Sequence, residues 1–135
     1  MSDRVVAPID VEHATNLLRH VEPAEALEAG ILTPMAGTRA VRLYSLDEAE
    51  RFLVSYDGSA VALGGAMAKI NYVDPAHLAH WVGDVLGDLE LSAALQELAD
   101  TRKPFGYLVP DMKTLIAARI EESKHVLDVA LVAAK

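Results

Sequence analysis

The stretch VDPAHLAHWVGDVLGDLELSAALQELA, residues 73–99, decides how this chain is read. Asp74 followed by Pro75 is a strong helix start. A carboxylate there accepts hydrogen bonds from free N–H groups of the first turn, and proline's missing N–H costs nothing at the first helical position. Leu78, Trp81, Val82, Val85 and Leu89 then share one stripe at about 3.6 residues per turn, so that face is predicted to be buried. Gly83 would let a neighbouring backbone approach. Gly87 and Asp88 stop this helix and cap the next, in which Leu91, Ala94, Leu95, Leu98 and Ala99 continue an apolar face. With so short a joint the two helices are expected to be spatial neighbours.

Toward the N-terminus, Asp10 caps a helix in which Val11, Ala14, Leu18 and Val21 share a face. Pro23 to Gly30 (PAEALEAG) reads as a second short helix, opened by proline and closed by glycine. Thr33 to Thr38 has turn composition. Arg39 to Tyr44 is the best strand candidate, and Ser45 with Glu48 matches a capping box opening a helix that carries Leu46, Ala49, Phe52, Leu53 and Tyr56. Asp57-Gly58 ends it. Residues 59–73 read as a β-hairpin around Gly64-Gly65, with Ile70, Tyr72 and Val73 its β-favouring part, although the alanines of this segment favour a helix.

Beyond the helical pair, Asp100 to Pro110 reads as a connection in which Phe105, Tyr107, Leu108 and Val109 form an apolar plug. From Asp111 a helix is predicted to run to the C-terminus, roughly 25 residues or 37 Å at 1.5 Å per residue. Its stripe is Met112, Leu115, Ile116, Ile120, Leu127, Ala130, Leu131 and Ala134. Its last turns, VLDVALVAA, are apolar on nearly every side. A helix of this length exceeds what so small a domain covers, so its distal half is expected to pack on a second copy of the chain as a two-fold homodimer. The alternative is a break near Ser123 that folds the end back.

These elements define an α+β fold, predominantly helical, with four to six helices packed on a small two- or three-stranded sheet; the alternative is all-α. At 135 residues and 52% hydrophobic, the chain suits a single domain over 1–135 that buries roughly 70% of its unfolded surface. Residues 1–8 read as a flexible arm and 110–135 as the long C-terminal helix. Twelve Lys and Arg dispersed among twenty acids, net charge −8, argue against nucleic-acid binding, which needs a clustered basic surface. The absence of cysteine excludes disulfides, thiolate metal sites and thiol nucleophiles. No run of eighteen apolar residues suggests a membrane span, and MSDRVVAPID lacks the apolar run of a secretory signal, which leaves the cytoplasm as the expected location.

Two features carry candidate chemistry. His77, His80 and Asp84 lie on one side of the first helix of the pair, at a spacing that can hold Zn²⁺ or another divalent ion. That side is opposite the Trp81 stripe, where a solvated surface is the stronger expectation. Arg119 falls on the apolar side of the last helix, where its guanidinium needs either a carboxylate or a bound anionic ligand; a salt bridge is favoured over ligand capture. No serine is identifiable as the partner of a histidine base. Gly64-Gly65 with Lys69 lacks the spacing of a phosphate loop. The sequence therefore reads as a non-enzymatic cytosolic interaction, accessory or regulatory protein that works as a homo-oligomer, with a protein partner possible and no catalytic residues or cofactor assigned. The rival reading is a small-molecule- or metal-binding protein, possibly an enzyme, with its site near His77, His80 and Asp84 or near Arg119. A structural subunit of a larger assembly is a third.

Overall fold

The computed structural model describes residues 10–33, 37–53 and 70–133. In chain order these form α1 (Val11–Leu18), a 3₁₀ turn (Pro23–Glu25), β1 (Leu27–Thr33), β2 (Gly37–Leu43), α2 (Leu46–Phe52), β3 (Ile70–Tyr72), α3 (Pro75–Asp84), α4 (Leu89–Asp100) and α5 (Phe105–Ala133). Among the described residues five helices and a three-stranded antiparallel sheet, in the order β2-β1-β3, make the fold predominantly helical α+β. The arm expected at residues 1–8, the turn at Asp57-Gly58 and the hairpin around Gly64-Gly65 lie outside the described residues.

The α3–α4 pair forms as its caps dictate. Asp74 accepts a hydrogen bond from the Ala76 N–H at 3.1 Å, and Gly87 takes the positive φ of +78° that turns the chain between the helices. Leu78, Trp81 and Val82 on α3, and Leu91, Ala94 and Leu95 on α4, are buried. Leu89 is not: as the first residue of α4 it lies past the turn, no longer in register with α3, and is exposed. At Gly83 the close neighbour is a side chain rather than backbone. A Cβ there would meet Ser92 Oγ at 2.8 Å, and that hydroxyl donates to the Ala79 carbonyl at 2.7 Å.

The helix expected over residues 23–30 is instead a 3₁₀ turn leading into the central strand. β1 pairs with β2 from Leu27↔Leu43 to Thr33↔Gly37 and with β3 from Gly30↔Tyr72 to Leu32↔Ile70. Ala, Glu and Leu favour a helix locally, but two turns are marginal in isolation. Strand pairing on both edges satisfies the same backbone groups while burying Leu27. Gly30 serves the pairing: a Cβ there would lie 3.0 Å from Thr38 Cγ2 across the strand. The capping box of α2 closes as predicted, with one shift. Ser45 Oγ accepts from the Glu48 N–H at 3.1 Å, while the Glu48 carboxylate accepts from Tyr44, one residue before the cap, at 2.8 Å.

α5 begins at Phe105, so the expected apolar plug is its first turns and Pro110 lies inside it. Phe105, Leu108, Val109 and Met112 follow helical spacing, with the last three buried. Burying such side chains contributes about 1.5–3 kcal/mol each. That offsets the single backbone bond lost at Pro110, whose ring stands on the exposed side. At 29 residues the helix spans about 43 Å, and α1, α2 and α4 pack along it. One continuous core joins Leu17, Leu27, Leu46, Leu78, Trp81, Leu95, Met112 and Ile116.

Candidate functional site

Two places outside ordinary core packing have a distinctive chemistry: a buried ionic centre where α1, α4 and α5 meet, and the exposed end of α5.

Asp88 sits at the α4 N-terminus with no solvent exposure. Its Oδ1 accepts from the Leu91 N–H at 3.0 Å and from Arg119 Nη2 at 3.1 Å, and its Oδ2 accepts from Arg119 Nε at 2.6 Å. Burial alone would push this carboxyl up. The Arg119 hydrogen bonds, the Leu91 N–H, and the Arg119 and His13 charges outweigh that and hold it below its ordinary range. Arg119, 5% exposed, is driven the other way. Burial disfavours its charge, but the bonds and charges of Asp88 and Glu122 raise its affinity for the proton. Arg119 Nη1 donates to Glu122 at 3.2 Å. The guanidinium thus donates along Nε, Nη1 and Nη2 to the chain's own carboxylates.

The centre extends onto α1. His13 Nε2 lies 3.5 Å from Asp88 Oδ2. Among the described residues it and Ser123 Oγ are the buried side-chain polar atoms without a hydrogen-bond partner. Beside it Asn16 Nδ2 donates to the Leu86 carbonyl at 2.7 Å, and Arg19 Nη2 donates to the Val85 carbonyl at 2.6 Å. These two side chains satisfy carbonyls freed where α3 ends. Asn16 and Arg19 also line an open cleft of about 680 Å³, with Asp10, His13 and Gly87 among its other walls. In the sequence Asp88 is legible as a cap but not as the partner of Arg119, and nothing there marks His13. The one available signal was an arginine on an apolar stripe, which requires a buried acid without saying which.

His77, His80 and Asp84 are all exposed on α3. Among the described residues no group of three His, Cys, Asp or Glu is placed to hold a metal ion. Helical spacing sets the three on one side but supplies no ligand from another element to close a coordination shell. His77 borders a shallow hollow with Glu28 and Arg42. Among the described residues no serine or threonine hydroxyl is bonded to a histidine.

The far end of α5 is the second place. Val129, Leu131 and Val132 are 53, 61 and 74% exposed, although no helix among the described residues is long and apolar enough to cross a membrane. Comparison with protein-family models, with curated proteins and with solved structures returns no match.

Proposed function

We propose that the protein works in the cytoplasm as a non-enzymatic accessory or regulatory protein, and that it acts as a homodimer joined through the distal half of α5. The observation that carries this reading is the exposure of Val129, Leu131 and Val132 in the last turns of a helix whose first half is anchored in the core. A helix end that is apolar on several sides lowers its free energy by being covered, at roughly 25 cal/mol per Å² removed from water. A second copy is the simplest cover that every molecule has available.

Light scattering on the full chain across a concentration series tests the reading. Twice the chain mass is expected for the wild type and a single-chain mass for a Val129→Asp/Val132→Asp variant. A wild type that stays monomeric at millimolar concentration overturns it, and a mass well above a dimer replaces it with a larger assembly.

A second reading, binding of a small polar ligand in the cleft on α1, has one observation in its favour: the cleft is lined by His13, Asn16 and Arg19, and the buried His13 Nε2 has no hydrogen-bond partner. Titration with inorganic phosphate or with small dicarboxylates, followed by the His13 ring resonances, tests it. Resonances that do not move at millimolar ligand remove it for those ligand classes.

A further inference from the structure

The groove between α4 and α5 and the exposed tip of α5 share one face of one helix, and their patterns match. The groove consists of two adjoining hollows, of about 320 and 110 Å³, that share Ala94 and Leu115; Leu91, Leu98 and Ala118 add to their apolar lining, and the carboxylate residues Glu90, Glu97 and Asp111 line them as well. With about 100° of rotation per residue, Leu115, Ala118, Glu122, His125, Val129 and Val132 fall within an arc of roughly 100° on α5. They make a strip about 26 Å long. Its groove end is apolar and small, its tip end apolar and protruding, and its middle carries a carboxylate and an imidazole. Among the described residues His125 has no hydrogen-bond or ion-pair partner.

Such a strip is complementary to itself only when reversed. Leu115 and Ala118 stand three residues apart, as do Val129 and Val132, and Glu122 and His125. An antiparallel partner with its two-fold axis between Ser123 and Lys124 therefore sets Val132 against the partner's Leu115, Val129 against the partner's Ala118, and His125 against the partner's Glu122. A parallel partner would instead face Glu122 with Glu122 and set groove against groove and tip against tip, so that neither tip fills a groove. Resting on the homodimer reading above, we propose that two copies pair α5 antiparallel in this register, each inserting its Val129–Val132 tip into the α4–α5 groove of the other. Leu131 lies roughly 160° round the helix from Val129, outside the contact.

Cysteine cross-linking reads the register directly, because the chain has no cysteine of its own. Ala118 and Val129 are exposed, so replacing them leaves the core untouched. Under mild oxidation an Ala118→Cys/Val129→Cys variant is expected to give a covalent dimer on a non-reducing gel. Either single variant is expected to give none, since equivalent positions lie about 16 Å apart along the paired helices, beyond the ~7 Å between Cα atoms that a disulfide spans. The same separation excludes a bridge within one helix. His125→Glu, which sets Glu against Glu122, is expected to weaken dimerisation roughly 3- to 10-fold, while Leu131→Ser leaves it unchanged. A dimer by light scattering whose double variant fails to cross-link, or whose single variants do, overturns this register and leaves the homodimer standing. A native mass of one chain overturns both. A dimer that withstands Val129→Asp and is weakened by Leu131→Ser places the contact on another face and also overturns the pairing.

Discussion

Removing the Asp88 carboxylate tests the account of how α1, α4 and α5 are held together. In an Asp88→Ala variant Arg119 keeps its position in the core, 6% exposed along its side chain, but is left with Glu122, whose own side chain is 43% exposed. Breaking a buried pair by removing one partner costs about 3–5 kcal/mol, because an uncompensated charge stays behind. The lost Leu91 N–H bond is a lost helix cap, worth about 1 kcal/mol. The two overlap, so the expected loss is about 4–5 kcal/mol, a large part of the 5–15 kcal/mol typical of a folded domain.

Urea unfolding at pH 7, followed by far-ultraviolet circular dichroism and Trp81 fluorescence, measures the loss. The companion variant Asp88→Ala/Arg119→Met, which removes the stranded charge and keeps an unbranched apolar stem, is expected to recover about 2 kcal/mol or more. The pH dependence has a definite sign. A carboxyl held below its usual range in the folded state contributes its full stabilisation above the unfolded value, near 3.8, and loses it as pH falls toward the lower folded value. The stability gap between wild type and Asp88→Asn should therefore be constant from about pH 7 to 5 and narrow below 3.8. An Asp88→Ala cost under about 1 kcal/mol, or a double variant whose cost is the simple sum of the singles, refutes the pairing as a buried, coupled unit.

Gly83→Ala would ordinarily stabilise an exposed helix by up to about 1 kcal/mol. Here the new Cβ meets Ser92 Oγ at 2.8 Å, so a loss of about 1–3 kcal/mol is expected in urea unfolding, with Ser92→Gly added to the variant restoring part of it. Trp81→Phe keeps the buried ring but removes the indole N–H that donates to the Glu25 carbonyl at 2.7 Å. A loss of about 1–2 kcal/mol in thermal unfolding is expected, with increased amide exchange around Pro23–Glu25. Elemental analysis of purified protein should find no stoichiometric zinc, iron or manganese, and His77→Ala should leave both stability and mass unchanged. Stoichiometric metal lost in that variant would instead make the exposed His77, His80 and Asp84 face a metal site completed by another molecule.

The elements most legible in the chain are those whose signals are local. Asp74-Pro75, Gly87-Asp88 and Ser45 with Glu48 announced helix ends, because a cap and the N–H it satisfies lie within three or four residues of each other. The apolar spacing of α3 and of Met112 to Ile120 likewise named the faces that are buried. Residues 23–30 look helical in sequence because helix propensity is local whereas the pairing of β1 with β2 and β3 is not, and pairing on two edges outweighs a few tenths of a kcal/mol per residue. Pro110 was read as a boundary for the same reason: the penalty is visible in sequence, but the burial of Leu108, Val109 and Met112 that outweighs it appears when the helix meets its neighbours.

The ionic centre marks the limit most clearly. That Arg119 stands on an apolar stripe, and so requires an acid, follows from spacing alone. Which of twenty acidic residues answers it depends on α4 and α5 packing so that residues 31 positions apart share two hydrogen bonds. Short-range order in this protein is written in caps and periodicity, where the interacting groups lie within a few residues of each other along the chain. The partners of its buried charges, the strand in its middle and the groove beside its last helix arise from contacts between distant segments, whose energies no local pattern of residues encodes.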